Sequence, residues 1–255
     1  MIVGAALAVL ACAALDARTS NAAQPPKPAS ATATGCILKA KPDTLWSLTQ
    51  CCVADLKSNP DCKSYNAAND YVIIKDDGSK KPAAYLIVPT TKVTGVEDPK
   101  IFTVPYIDFW QYGWEAARTY LKEPAAATGL AINSVHGRGQ NQLHIHISCI
   151  LDSVAQTLAA DDRKFGSDPA KAVVVTLGPR RDSYEVVKVT GLVGASSPFN
   201  LVRAIPGAQR HMADQSIAVV GARAPGWYYV LDTFSHGSNS GHAEQILDET
   251  CGKKV

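Results

Sequence analysis

Three things are scarce in this chain, and each scarcity removes a class of function. No apolar run reaches the roughly 20 residues that a membrane-spanning helix needs; the longest, from Met1 to Leu15, ends at Asp16. Charge of one sign is lacking as well: 25 Lys and Arg are set against 23 Asp and Glu, interspersed, for a formal net charge of +2. With no basic stripe to neutralise a phosphate backbone, nucleic acid is not a partner. There is no Gly-rich loop ending in Gly-Lys-Ser/Thr, and so no P-loop nucleotide site. Spaced Cys-x-x-Cys pairs are missing too, because Cys51 and Cys52 are adjacent, which counts against a structural zinc.

What is present begins with enough apolar residues, 46%, for a chain of this length to bury one core. The apolar N-terminus is followed by a polar, Pro-rich run to Pro42, with Ala22-Ala23 before Gln24 as a small-residue cleavage point. That is the build of an export signal over 1–23 and a linker over 24–43, ahead of a folded body over 44–255. No Lys or Arg precedes the apolar run, and Val9-Leu10-Ala11-Cys12 is similar to a lipoprotein processing site. Cleavage, lipidation and an uncleaved anchor at an extended N-terminus therefore all stay open. Beyond Cys12 there are six cysteines, Cys36, Cys51, Cys52, Cys62, Cys149 and Cys251. An even number in an exported chain predicts disulfides, although spacing fixes none of the pairings.

Patterning predicts a helix over Thr44 to Lys57, then strands over Tyr71 to Lys75 and Ala84 to Val88 joined as a hairpin across Asp77-Gly78. Trp110, Trp114, Ala117 and Leu121 fall on one stripe, so Tyr106 to Leu121 reads as a helix stopped by Pro124. Strand signals follow at Leu130 to Asn133, Leu143 to Ile150, Ala172 to Thr176, Tyr184 to Thr190, Ile217 to Val220 and Trp227 to Leu231. Short helices are expected at Val154 to Ala160 and Ala243 to Asp248. Strands joined mostly without long crossovers point to an α+β fold, an antiparallel sheet with flanking helices in one elaborated domain. No internal repeat is visible.

The chemistry concentrates in Leu143-His144-Ile145-His146-Ile147-Ser148-Cys149-Ile150. Strand period two puts His144, His146 and Ser148 on one face and the apolar residues on the other. Two imidazoles about 7 Å apart on one strand face are costly to bury without partners. Just before them, Asn133-Ser134 and the loop Gly137-Arg138-Gly139-Gln140-Asn141 bring a guanidinium and two amides alongside. Such a loop suits an anion, through the Arg fork and through backbone N–H groups. A metal is the competing use of His-x-His, but the positions where a third ligand would follow hold Ser148, Cys149, Ile150 and Leu151, with Asp152 a weak substitute. No metal or cofactor is expected.

The string Gly139-Gln140-Asn141-Gln142-Leu143-His144-Ile145-His146-Ile147-Ser148 resembles the histidine-triad signature, G-Q-(S/T)-x-x-H-φ-H-φ-H. Within that superfamily, the longer run from Leu130 to Ile150 resembles the CDP-diacylglycerol pyrophosphatases, exported, membrane-associated enzymes of bacterial lipid metabolism. So do Tyr71 to Asp76, Tyr85 to Thr90, the Trp110/Trp114/Arg118 helix, Ser197-Pro198-Phe199, His211-Met212 and the placement of Cys149 and Cys251. The resemblance spans Cys51 to Cys251. It implies a HIT-like sheet, and hydrolysis of CDP-diacylglycerol to CMP and phosphatidate through a cytidylyl group carried on His146. It further implies that His144 orients the phosphate, that Gln140 and Asn141 hold its non-bridging oxygens, that Arg138 takes the second phosphate and that Asn133 supports the ribose or the loop. Two departures stand out: Ser148 replaces the third histidine, and Asn141 stands where Ser or Thr is usual. His211 is a candidate to fill the vacant role.

Phe102, Tyr106, Phe109 and Trp110 are candidates for an apolar groove that receives a diacyl lipid. Two rival readings remain. A 2H phosphoesterase would pair His146/Ser148 with His236/Ser238, 90 positions further on, and would form no covalent intermediate. A catalytically inactive periplasmic nucleotide-binding protein would keep the fold and lose turnover. Many histidine-triad proteins are dimers, which leaves a homo-oligomer open.

Overall fold

The structure is a computed structural model and describes residues 36–76, 81–235 and 241–252. The export signal and the Asp77-Gly78 turn lie outside the described residues. Helix α1 (Thr44–Ala54) is followed by strands β1 (Cys62–Asn66), β2 (Tyr71–Lys75) and β3 (Tyr85–Pro89), helix α2 (Phe109–Tyr120), and strands β4 (Thr128–Ile132) and β5 (Ile145–Ile150). Helix α3 (Asp152–Ala160), strands β6 (Val173–Leu177) and β7 (Asp182–Val189), helix α4 (Pro198–Ala204), strands β8 (Gln215–Gly221) and β9 (Tyr228–Phe234), and the short β10 (Leu247–Asp248) complete the order.

Among the described residues, all ten strands join one antiparallel sheet in the order β1-β2-β3-β5-β4-β8-β9-β7-β6, with β10 paired to β5. This order contains a duplication that the sequence hides. Hairpin β2–β3, helix α2 and hairpin β4–β5 give the strand order β2-β3-β5-β4; hairpin β6–β7, helix α4 and hairpin β8–β9 give β6-β7-β9-β8. The two units meet through β4 and β8, paired from Gly129↔Val220 to Ile132↔Ile217. Both crossover helices lie on the same face, where Trp110 of α2 meets Phe199 of α4 at 5.5 Å between ring centroids. They share one core with Leu130, Ile145, Ile147 and Val219.

The opposite face is covered by other means. Helix α1 packs Leu45 and Cys52 on Val72, Ile74, Leu86 and Val88 of β2 and β3. Helix α3 and the C-terminal segment cover the β4–β8–β9 part with Val154, Leu158, Ala243 and Ile246. His144, His146 and Ser148 belong to this second face, in the gap between the two covers. The disulfides Cys36–Cys51, Cys52–Cys62 and Cys149–Cys251 fasten α1 and the C-terminus in place. Residues 36–43, read as linker, are thus tied to the body, also by Lys39 N–H donating to Ser47 Oγ and Asn141 N–H donating to the Pro42 carbonyl. Among the described residues no helix is long and apolar enough to cross a membrane.

Two elements depart from the sequence reading. The predicted helix over Ala243 to Asp248 is a single 3-10 turn, Ala243–Ile246, that runs into β10. Strand β3 covers β5 only at residues 145–147, so Cys149 and Ile150 have open backbone that Asp248 and Leu247 pair with. Strand β1 and helix α4 had no clear signal. The first is a polar edge strand with alternating exposure, and the second is a seven-residue helix opened by Pro198, too short to show a period.

Candidate active site

The site is built on β5, where His146 stands between Leu86 of β3 and Ala131 of β4. Its ring lies 5.0 Å from that of His144. The His144 side chain is buried, and its Nδ1 donates to the Gln142 carbonyl at 2.7 Å, which leaves Nε2 with the lone pair. Burial, then the neighbouring His146, lowers its pKa to about 4, so it is neutral near pH 7.

His146 is held differently. Its Nε2 lies 2.9 Å from Glu244 Oε2 and its Nδ1 lies 3.9 Å from Asp76 Oδ2. The Glu244 oxygen sits off the ring N–H direction, so the contact is an ion pair without an aligned hydrogen bond. Burial pulls the His146 pKa down, but Glu244 and then Asp76 outweigh it and the net direction is up. Glu244 responds in kind: burial pushes it up, but His146, Asn133 and Lys81 hold its carboxyl at about 2. Each group thus favours the charged form of the other. His144 has a backbone carbonyl as its ring partner, whereas His146 is flanked by carboxylates.

These groups floor a cavity of about 490 Å³. Asn133, Gln140, His144, His146 and Glu244 line it together with the apolar side chains of Leu38, Leu45, Leu48, Ile74 and Leu86. Asn133 is buried, and its Oδ1 accepts from the Glu244 N–H at 3.3 Å. Gln140 Oε1 accepts from the N–H of Leu45 in the first turn of α1 at 3.0 Å, which leaves the amide N–H groups as donors. The loop lies against the C-terminal segment because Gly137 has no side chain: a Cβ there would stand 2.5 Å from the Gly241 carbonyl oxygen.

The structure does not bring the other expected residues to this cavity. Arg138 is not free for a phosphate: its guanidinium forms a fork on Glu97 at 2.6 Å and 2.6 Å, with 7% of the side chain exposed. It threads past Gly95, where any Cβ would collide with it. Ser148 is buried, and its hydroxyl is placed toward the carbonyls of Ala83 at 3.1 Å and Asp248 at 2.8 Å, a tie that fastens β10. Asn141 is exposed and its side chain does not line the cavity. His211 is 67% exposed beside Asp214 and lines a separate cavity, so it does not stand in for the third histidine. Phe109 and Trp110 are wholly buried in the core on the opposite face and form no lipid groove. His236 and Ser238, on which the two-motif reading depends, lie outside the described residues.

Asp76, Glu244 and Lys81 carried no motif in the sequence. Lys81 Nζ bridges Asp76 at 3.2 Å and Glu249 at 2.7 Å. Asp76, His146 and Glu249 also bring ligand atoms within 4.8 Å of one another, the spacing of a metal site. However, Lys81 already balances both carboxylates, so the donor set fits a cation poorly.

A strand-borne histidine pair facing a carboxylate, set in a half-apolar cavity, is the equipment of a hydrolytic site. A family model described as CDP-diacylglycerol pyrophosphatase matches residues 40–254, and the chain belongs to that family. A curated relative from Yersinia pestis, described as CDP-diacylglycerol pyrophosphatase, is 29% identical over 222 residues, which is 82% of this chain and 84% of the relative. A solved structure of a DUF4931 family protein from Bacillus cereus ATCC 10987 is 10% identical, with a TM-score of 0.45 over 70% of this chain and 88% of that one.

Proposed function

We propose that the chain hydrolyses CDP-diacylglycerol to CMP and phosphatidate, with His146 Nε2 as the nucleophile. The observation that carries this reading is the placement of that nitrogen at the floor of the cavity, between a neutral His144 and the Glu244 carboxylate. In the first step Nε2 bonds to the phosphorus that bears cytidine, and the bond from that phosphorus to the bridging oxygen breaks. Phosphatidate departs with the electron pair. In the second step water attacks the same phosphorus, the P–N bond breaks, CMP leaves and the imidazole is restored.

For the attack, Nε2 must lose its proton. Glu244 is the carboxylate beside it, and the negative charge of an arriving diphosphate raises its basicity. Proton handling, which a third histidine would serve, thus passes to Glu244, because the Ser148 hydroxyl is committed to backbone carbonyls. Gln140 supplies amide donors for the non-bridging oxygens. Lys81 lines the cavity and takes over the second phosphate from Arg138. The wall of Leu45, Leu48 and Leu86 receives the apolar part of the substrate, and Ile37, 83% exposed at the start of the body, faces a lipid surface. Three disulfides fit an exported protein acting at a membrane.

The test is CMP release from CDP-diacylglycerol in detergent micelles. The chain should produce stoichiometric CMP and phosphatidate, and His146→Ala should lose turnover by ~10⁴-fold or more, as expected for removal of a covalent nucleophile. Unchanged CMP release in His146→Ala would refute the assignment.

A further inference from the structure

A second cavity, of about 350 Å³, lies on the opposite face of the sheet, under the segment that follows α4. Its floor is a cross-strand row. Glu185 of β7 and Asp232 of β9 are direct partners in the ladder, and Gln215 of β8 lies one pair along on the same face. Like charges directly opposite on a sheet repel each other, so ionising both carboxyls in this cavity calls for a cation between them. Asp232 is 2% exposed, and neither of its carboxylate oxygens has a hydrogen-bond partner. The Gln215 amide oxygen is buried and unpartnered in the same way. No lysine or arginine lines the cavity among the described residues; the titratable groups that face Asp232 are Glu185, Asp214 and His211.

A buried carboxylate without a donor is costly to keep. Nothing in the hydrolysis uses it, since the catalytic cavity shares no lining residue with this one. We propose that this cavity is a second binding site, for a small organic cation with a primary ammonium group. The oxygens without donors, two on Asp232 and one on Gln215 of the neighbouring strand, are the kind of acceptor that the N–H groups of an ammonium need. Glu185 supplies a second negative charge. Pro206, Ala208 and Phe234 give an apolar wall for the carbon part, and the volume suits an alkylamine better than a bare ion. A divalent metal is the poorer match, because it takes about six to eight oxygen ligands in close array. Burial, then Glu185, raises the Asp232 carboxyl well above the ordinary range. A bound ammonium opposes that shift and favours the carboxylate.

The experiment is calorimetric titration of the full chain near neutral pH with n-butylammonium chloride, run in two buffers of different ionisation enthalpy, with CaCl2 and MgCl2 in parallel. Expected are one saturable site per chain for the amine, any linked proton released and none taken up, and a loss of affinity of at least tenfold in Asp232→Asn. His146→Ala should bind the amine unchanged, which separates this site from the catalytic one. Should Asp232→Asn fold poorly, Ala208→Phe, which fills the cavity and leaves Asp232 in place, must also abolish binding. Absence of saturable amine binding, equal affinity in Asp232→Asn, or a site taken by Ca²⁺ or Mg²⁺ and not by the amine would each overturn the proposal.

Discussion

Glu244→Gln keeps the shape of the side chain and removes the charge that sets the state of His146. The drop of the Glu244 carboxyl from 4.5 to about 2 corresponds to a ceiling of about 3.4 kcal/mol at ~1.36 kcal/mol per unit. A third of the side chain, 33%, is open to water, and screening brings the contribution to about 2 kcal/mol. The sign follows from linkage. A depressed carboxyl stabilises above its unfolded value of 4.5 and loses that stabilisation as pH falls through about 2. A raised histidine stabilises below its unfolded value of 6.5 and loses the stabilisation as pH rises through its folded value. The pair is therefore worth most between about pH 4.5 and 6.5. Urea unfolding of Glu244→Gln should show a deficit of about 2 kcal/mol in that window, shrinking in alkali. The ring titration of His146, followed by NMR, should move to lower pH, and the acid limb of kcat/KM should move with it while kcat falls for want of a proton acceptor. An unmoved His146 titration, with a stability loss independent of pH, would refute the coupling.

Three further outcomes follow from contacts around the site. Ser148→Ala should cost about 1–3 kcal/mol of stability by leaving buried carbonyls unmet, while kcat/KM stays within a few-fold; a loss of ~10³ in kcat would return Ser148 to the chemistry. Arg138→Ala should cost about 3–5 kcal/mol, because it strands Glu97 in a partly buried pair, and a calorimetric melt should record the loss, with KM little changed in whatever remains folded. Replacing both Cys149 and Cys251 by Ser opens a loop with a sequence separation of 102, worth about 4–5 kcal/mol in the chain-entropy view. Chemical denaturation measures that loss, and activity should fall as well, since the bridge holds the segment that carries Glu244 over β5.

Much of the fold was legible because its strands are apolar, β-branched and regularly broken. Most strand cores, such as Tyr71–Lys75 and Ile145–Ile150, lie where the pattern puts them, and the two histidines share a face as period two requires. The duplicated topology was not legible, because a pattern of hairpin, helix and hairpin constrains only which positions are apolar. The second unit carries Tyr229 and Leu231 on the face that bears histidines in the first. At the site, local spacing led to His144, His146, Asn133 and Gln140. It misplaced Arg138, since nothing near it in sequence announces Glu97, 41 positions earlier. Glu244 follows His146 by 98 residues and reaches it through the C-terminal return that Cys149–Cys251 fastens. Contacts of that kind depend on tertiary closure, and the one available hint was the paired placement of those two cysteines.

The proposed hydrolysis turns on a covalent bond between His146 and the cytidine-bearing phosphorus. The most direct measurement is rapid mixing of the chain with CDP-diacylglycerol in detergent, quenched in alkali within the first turnover, followed by peptide mass spectrometry. The covalent route requires a cytidylyl group, labile in acid, on His146 at the first time points, absent from His146→Ala, and longer-lived in Glu244→Gln if that carboxylate also assists the water. CMP formed at full rate with no adduct on any histidine, and with phosphatidate released in the same step, would contradict it.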